Sequence, residues 1–424
     1  MKVLVVGSGG REHAVIQALK KSPSVDAIVC APGNGGISAL AECVNIRATD
    51  VDGMVSYARD NGIDFCVVTP DDPLASGMVD AMEAAGIPSF GPEKKAAVIE
   101  ASKVFSKNLM KKYGIPTASY EVFDDPSEVL DYIREKNTYP AVIKADGLAL
   151  GKGVLIARDE KEAEDAVKEL MVDKKFGASG NEVVVEEFME GPEVSVLSFT
   201  DGKTIVPMVS SMDHKRVNDN DEGLNTGGMG TIAPSPFYTP EIADRCMKEI
   251  FLPTMHAMNA EGRTFKGVLY FGLMLTKDGP KVVEYNCRFG DPETQVVLPL
   301  LDSDLFEIMQ ACRNQTLGDL DIKWKDGACA CVIEASGGYP LSYTKGYEIR
   351  GLDENGQHEG VYVYHSGTKK ENGKFYTNGG RVLGLTAEGK DLPEALARCY
   401  KAVQEVTFEN MHYRTDIGRK VLNK

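Results

Sequence analysis

The sequence predicts a multidomain chain of mixed α/β and α+β class, opening with an open parallel α/β unit and closing with a β-rich one. Three observations predict it. At 424 residues the chain exceeds a single core, because domains average about 150 residues and a count near three follows. Residues 1 to about 100 alternate short apolar strand runs with helical patterns, as a parallel sheet with crossover helices requires. Residues 327–424 place several strand runs between turn clusters before one helical pattern.

Composition narrows the function classes. Hydrophobic residues at 43% and charged residues at 26% give an ordinary globular balance, so a core forms without staples. The formal charge of −16 disfavours nucleic acid and anionic membranes as partners, and any anionic ligand needs a local basic site. Nine cysteines with no Cys-x-x-Cys pair, and no secretory leader, point to unpaired thiols in a reducing, cytoplasmic compartment. Cys329 and Cys331 read as strand packing rather than a metal site. No apolar run approaches the ~18 residues of a membrane span.

At the N-terminus, Lys2-Val-Leu-Val-Val-Gly7 is a buried strand running through Ser8-Gly9-Gly10-Arg11-Glu12-His13 into a helical pattern to residue 20. Free N–H groups of such a turn and the helix dipole make an anion site at Gly9 and Gly10; a plain turn is the alternative. A dinucleotide fingerprint would place glycine where Glu12 stands, and the second strand (26–30) ends in Ala31-Pro-Gly-Asn-Gly-Gly36 instead of an acid. Both speak against NAD. The third strand (63–68) closes with Thr69-Pro-Asp71-Asp72, carboxylates at a strand end where open α/β sheets bind ligands. A phosphosugar fits between the glycine turn and these acids.

One helix is expected over 94–113, then a turn and strand at 114–120, with Asp125-Pro-Ser opening another helix. Tyr139-Pro-Ala-Val-Ile-Lys144 leads to Gly147-Leu-Ala-Leu150-Gly151-Lys152-Gly153 and the strand 154–157. Two strands joined by such a loop form a flap whose N–H groups and Lys152 approach phosphates, with Lys144 as a second point charge. The Walker A spacing is absent. Strand 182–188, with Glu186 and Glu187, offers backbone groups of the kind that read adenine. Each signal alone is weak, but the ordered set describes a nucleotide triphosphate clamp.

A strand from Glu193 precedes a long polar loop with Asp213-His-Lys215-Arg and Asn225-Thr-Gly227-Gly228-Met-Gly. Long loops inside compact domains are usually functional. Asp213, Lys215, Asn225, Gly227 and Gly228 are its substrate-side candidates, while His214 is read as structural. The strand 267–275 then pairs with the next through the hairpin signal Lys277-Asp-Gly-Pro280.

That next strand carries the densest chemistry: Lys281-Val-Val-Glu284-Tyr-Asn286-Cys-Arg288-Phe-Gly-Asp291-Pro-Glu293-Thr-Gln295. Alternation puts Glu284 and Asn286 on one face and Val283, Tyr285 and Cys287 on the other. A carboxylate and an amide carbonyl two residues apart suit a hard cation such as Mg²⁺, with Arg288 beside it offering a planar fork to a phosphoryl oxygen. The alternative is a strand edge bearing a surface salt bridge.

These segments, in this order, resemble the ATP-grasp family of glycinamide ribonucleotide synthetases, enzymes of purine biosynthesis. The likeness spans the whole chain and is carried by Gly9-Gly-Arg-Glu-His, Lys144-Ala-Asp-Gly-Leu-Ala, Gly151-Lys-Gly-Val, Asp213-His-Lys-Arg, Asn225-Thr-Gly-Gly-Met-Gly and Arg288-Phe-Gly-Asp-Pro-Glu. It implies an N-terminal substrate domain (1–101), a central ATP-grasp domain (102–122 and 191–326), a small ATP lid (123–190) and a C-terminal domain (327–424). It further implies that Lys103 and Lys144 contact ATP phosphates, that Glu186 lies at the adenine and Glu193 at the ribose, and that Glu284 and Asn286 hold Mg²⁺ or Mn²⁺. Asp291, Asp71 and the Gly9-Gly10 loop match positions lining the phosphoribosylamine site. Asp71 stands where the family usually has Glu, Leu150 where it has Ala, and the strand 267–275 lacks the carboxylate many wider ATP-grasp enzymes place there, leaving the metal count open.

In the last segment, 328–334, 361–365 and 381–386 read as strands and 392 to about 408 as a helix. Asn378-Gly-Gly-Arg381 puts a cation at a strand start, either capping that end or meeting a sugar phosphate, and the resemblance favours phosphate. The expected reaction joins glycine to 5-phosphoribosylamine in a monomer, with ATP cleaved to ADP and phosphate through glycyl phosphate, Arg288 and Asp291 acting at the reacting groups. A related ATP-grasp enzyme acting on another purine intermediate, or a non-catalytic nucleotide sensor, is the alternative.

Overall fold

The computed structural model describes residues 1–148 and 153–422, so Leu150, Gly151 and Lys152 lie outside the described residues. At the N-terminus five parallel strands lie in the spatial order Glu42–Cys43, Ala27–Pro32, Lys2–Gly7, Phe65–Val68, Ser89–Phe90. The first strand in sequence is therefore central, with its neighbours running off to opposite sides. Such a reversal of strand order opens a crevice at the strands' carboxyl ends, which is where Gly9 and Gly10 sit. The two edge strands are two residues long each, too short to leave a pattern in the sequence.

Glu12, the residue that breaks the dinucleotide fingerprint, is buried in the helix Gly10–Leu19 and braces the turn. Its carboxylate accepts from the Gly9 N–H and the Thr69 hydroxyl. The space it fills is taken from Gly7, where φ is +128° and a Cβ would stand 2.6 Å from Glu12 Cγ. Only glycine permits both the backbone angle and that approach.

The helix expected over 94–113 is two, Lys94–Ala101 and Lys103–Tyr113. Ser102 is extended and caps the second, accepting from the Phe105 N–H at 3.0 Å. An N-cap residue must leave helical φ/ψ, which breaks the run and starts a new helix at Lys103.

Residues 120–187 build a four-stranded antiparallel sheet in the order Tyr120–Phe123, Val183–Glu187, Ala141–Ala145, Val154–Ala157. Helices Pro126–Lys136 and Glu160–Val167 pack on it around a separate core of Val129, Ile133, Ile143, Val167 and Val185.

The central sheet is also antiparallel, in the order Ile205–Pro207, Glu193–Thr200, Gly267–Thr276, Gly279–Asn286. The last two strands form the expected hairpin. A bulge corrects the expected alternation: Glu284 pairs with Gly272, but Leu273 pairs with Val282, leaving Val283 as an extra residue. Val282, not Val283, joins Tyr285 and Cys287 in the core. The bulge lies before Glu284, so Glu284 and Asn286 still share a face.

The polar stretch 213–230 is not one loop. It contains the hairpin Arg216–Asn218 with Glu222–Asn225, and the strand Gly230–Ala233 follows. That strand pairs with Met212–Asp213 and with Ala328–Ser336, so it belongs to the sheet that also holds Arg381–Gly389 and Tyr362–His365. The helix over that sheet, Leu392–Val403, stops short of residue 408. An unread hairpin, Thr368–Glu371 with Lys374–Thr377, completes the region. All nine cysteines are unpaired, and Cys329 and Cys331 are buried. Among the described residues no helix is long and apolar enough to cross a membrane.

Candidate active site

The side expected to take nucleotide is built where the residue 120–187 sheet meets the helix Lys103–Tyr113 and the strand Gly279–Asn286. Lys103 begins that helix, and its ammonium donates to the Gly147 carbonyl at 2.6 Å. Lys144 Nζ lies 3.0 Å from Glu186 Oε1 and donates to the carbonyl of the bulged Val283 at 3.2 Å. Lys107 takes the other oxygen, Oε2, at 2.9 Å and donates to Thr117 Oγ1 at 2.8 Å. Sequence reading missed Lys107, although it stands one helical turn beyond Lys103, where i and i+4 share a face. Burial pushes its ammonium down to about 8, against the pull of Glu186. Glu187 is exposed by comparison, facing Lys281 at 3.3 Å and accepting from the Ser119 N–H at 3.2 Å.

Glu284 and Asn286 project from the end of the central hairpin. Burial raises the Glu284 carboxyl, but Lys215, Lys144, Lys103 and Arg288 together hold it below the usual carboxylate range, so it is ionised. Lys215 lies 3.7 Å from Glu284 and pairs closely with Glu193. Lysines contributed by three separate stretches of chain therefore converge on one carboxylate. Arg288 donates to Asn286 Oδ1 at 3.2 Å, as its place on the oxygen face predicts. Its main partner was not foreseen: Glu100, buried at the end of the helix Lys94–Ala101, sits 2.9 Å from Arg288 Nη2 and accepts from the Cys287 N–H at 2.7 Å. Among the described residues, the buried Arg288 Nε has no hydrogen-bond partner, leaving a donor for a ligand.

The substrate side lies across the Gly9-Gly10 loop. A Cβ on Gly9 would stand 3.2 Å from Asp291 Oδ2, and one on Gly10 would stand 2.7 Å from Gln295 Nε2, so backbone and side chains close over the same crevice. The Gly10 N–H donates to Ser366 Oγ at 3.0 Å, tying the loop to the C-terminal strands. Arg381 Nη1 donates to the carbonyls of Gly227 at 2.7 Å and Asp291 at 2.9 Å, and stands 3.5 Å from Asp291 Oδ1. Burial raises Asp291, yet Arg381, Arg11 and the Gln295 amide bring it below its ordinary value. Burial likewise acts against Arg288 and Arg11 at Asp71, where the cations win and the carboxyl is lowered. Arg11, unassigned from the sequence, donates to the Phe289 carbonyl at 3.2 Å and so joins the glycine turn to the Arg288 turn.

Asp213 and Glu293 behave oppositely. Burial and the neighbouring Glu293 charge push Asp213 well above its usual range against Lys215 and Arg381, and burial pushes Glu293 up. The Tyr270 hydroxyl donates to Glu293 Oε1 at 3.0 Å. Gly228 has φ +116° and a Cβ there would meet Asp213 Oδ1 at 2.6 Å, so a side chain is excluded beside that carboxylate. Asn225 is half-buried in the hairpin, where it pairs with Arg216. His214 is structural, as expected: its Nε2 accepts from the Gly418 N–H at 3.1 Å, and burial and Arg414 lower it to about 4.

Among the described residues no group of three or more His, Cys, Asp or Glu forms a metal cage. Mg²⁺ typically needs only one or two protein carboxylates and completes its shell with water and phosphate oxygens. The ionised Glu284 and the Asn286 carbonyl oxygen fit that demand.

Comparison with known proteins agrees along the whole chain. The N domain of phosphoribosylglycinamide synthetase matches residues 1–100, its ATP-grasp (A) domain 101–294 and its C domain 329–420. A phosphoribosylamine–glycine ligase of Caldanaerobacter subterraneus subsp. tengcongensis is 49% identical over 418 residues, covering 99% of both chains. One from Clostridium acetobutylicum is 47% identical over 419 residues, 99% of this chain and 100% of that one. The crystal structure of the Thermotoga maritima phosphoribosylamine–glycine ligase superposes with a TM-score of 0.85 at 32% identity, covering 98% of this chain and 100% of that one. The chain belongs to the phosphoribosylglycinamide synthetase family and carries out the ATP-dependent ligation of glycine to phosphoribosylamine in purine biosynthesis.

Proposed function

We propose that ligation proceeds through glycyl phosphate. Glycine's carboxylate attacks the γ-phosphate of ATP, ADP leaves, and the amine of 5-phosphoribosylamine then displaces phosphate from the acyl carbon to form the amide. The observation that carries this reading is the convergence of Lys103, Lys144, Lys215 and Arg288 on Glu284, a cationic enclosure in a chain of net charge −16. Phosphoryl transfer depends on positioning and on offsetting charge at the transferring group, which such an enclosure supplies. A Mg²⁺ or Mn²⁺ ion held by Glu284 and Asn286 would add charge neutralisation at the phosphate oxygens.

The residues divide the work accordingly. Lys103, Lys144 and the 151–153 loop hold the phosphates, Glu186 and Glu187 line the adenine, and Glu193 reaches the ribose. Arg288 supports the transferring phosphoryl group through its Nε, which has no hydrogen-bond partner among the described residues. Gly9, Gly10, Asp71, Asp291 and Arg381 hold phosphoribosylamine, with Asp213, Lys215, Gly227 and Gly228 closing the substrate side. In this reading residues 123–190 are a lid on a central domain of 102–122 and 191–326, flanked by 1–101 and 327–424, and the enzyme works as a cytoplasmic monomer.

Glycine labelled with ¹⁸O in its carboxylate tests the intermediate. One label should pass to inorganic phosphate during turnover, with ADP as the nucleotide product. Unlabelled phosphate, or AMP and pyrophosphate, would overturn the acyl-phosphate route while leaving the family membership intact.

A further inference from the structure

Glu186 is 4% exposed, yet it is held from two sides by lysines of different elements. Lys107 contacts Oε2 at 2.9 Å and hands a further N–H to Thr117 Oγ1 at 2.8 Å. The Thr117 hydroxyl in turn donates to the Val282 carbonyl at 2.7 Å, and Lys144 reaches the next carbonyl, Val283. Both lysines thus anchor the Glu186 strand to the bulge of the strand that ends in Glu284 and Asn286. The two carboxylate oxygens are not equivalent. Oε2 is fixed by Lys107, whereas Oε1, though 3.0 Å from Lys144 Nζ, is buried and receives no hydrogen bond among the described residues. A buried carboxylate oxygen with open acceptor capacity is completed by a donor from a ligand.

We propose that Lys107 is a positioning residue for base selectivity: by fixing Glu186 Oε2 it aims Oε1 at the exocyclic amino group of a 6-aminopurine. The inference rests on the reading that Glu186 lines the adenine. A 6-oxopurine presents a carbonyl oxygen at the same point, so the aimed carboxylate repels it and leaves its own acceptor unfilled. Without Lys107 the carboxylate is free to turn toward Lys144, which would satisfy Oε1 and erase the distinction between the two bases. Lys144 would also lose freedom to meet phosphate.

The experiment compares kcat/KM for ATP and ITP, which differ at the purine 6-position, amino against oxo, and in the N1 proton that the oxo form carries. Lys107→Met should lower the ATP-to-ITP ratio by roughly tenfold or more, the loss of one charge-assisted hydrogen bond, and Lys107→Arg should restore part of it. A role confined to stability would lower both substrates equally, and that result would overturn the proposal. Should Lys107→Met fail to fold, Thr117→Val, which frees the ammonium without removing it, should narrow the ratio in the same direction; an unchanged ratio there counts against the proposal. Glu186→Gln separates the two levels. If it narrows the ratio while Lys107→Met and Thr117→Val do not, the inference about Lys107 fails alone; if it leaves the ratio unchanged, the adenine reading fails and takes this inference with it.

Discussion

The buried Glu100 and the half-buried Arg288 form an ion pair, Oε1 to Nη2 at 2.9 Å, across the junction of the N-terminal and central regions. The same carboxylate accepts from the Cys287 N–H, so one acid sets both the backbone and the guanidinium of the Arg288 turn. Truncating one partner of a buried pair leaves an uncompensated charge and typically costs about 3–5 kcal/mol. Glu100→Ala should lose stability on that scale in urea denaturation and depress turnover, although Glu100 touches no substrate in the proposed site. Glu100→Gln, which keeps the shape, should be milder on both counts. Full activity and stability in Glu100→Ala would show that Arg288 is positioned by other groups.

The Glu293 charge is, after burial, the main influence raising the Asp213 carboxyl. Glu293→Gln removes the neighbouring charge that helps raise Asp213. The acid limb of kcat/KM for phosphoribosylamine should therefore move to lower pH in that variant. An unmoved limb would dissociate Asp213 from the profile.

The nucleotide and sugar halves should separate kinetically. Lys144→Ala should raise KM for ATP by about 10–100-fold, the range expected for a hydrogen bond to a charged group. Asp71→Ala and Arg381→Ala should raise KM for phosphoribosylamine by a similar factor and leave ATP near wild type. Arg381 also ties the carbonyls of Gly227 and Asp291 together, so its loss should be the more severe. A change in ATP affinity alone on losing Arg381 would remove the C-terminal region from the sugar site.

Glu334 is wholly buried in the strand Ala328–Ser336, and among the described residues neither of its oxygens has a hydrogen-bond partner. Burial pushes its carboxyl well above the ordinary range. The folded protein then binds a proton that the unfolded chain has released, so this residue's contribution falls as pH rises above the unfolded value of about 4.3. Glu334→Leu should raise stability at neutral pH by about 1–3 kcal/mol, and should flatten the decline between acid and neutral pH. Thermal melts of both proteins across that range check the sign.

Glu284→Ala should abolish metal-dependent ATP turnover while the fold survives, because this carboxylate lies on the cleft face of its strand and not in the core. Titrating Mg²⁺ and Mn²⁺ into wild type and variant, with circular dichroism alongside, makes the comparison. Wild-type metal dependence in Glu284→Ala would remove the assignment.

Local patterns account for what sequence reading recovered. The hairpin at 277–280, the glycine turn after the first strand and the shared face of Glu284 and Asn286 each depend on residues within a few positions of one another. Period-two alternation placed Glu284 and Asn286 correctly, but it failed one turn of the pleat earlier, because a bulge is decided by the partner strand and not by the bulged one. The polar stretch 213–230 read as a loop because the strands of its hairpin are short, and the strand that follows it, Gly230–Ala233, pairs with Ala328–Ser336 far along the chain.

By itself, then, the sequence determined which chemical groups are present and the order in which local elements present them: the glycine turns, the Glu284 and Asn286 face, the Arg288 turn, the family they spell. Tertiary structure alone decided the pairings Lys107 with Glu186 and Glu100 with Arg288, and brought the Glu293 charge to bear on Asp213. The physical reason is that an ionisable side chain gains its role from burial and from the charge it meets there. Both depend on elements distant in sequence being packed together, and no spacing along the chain encodes which of them will meet.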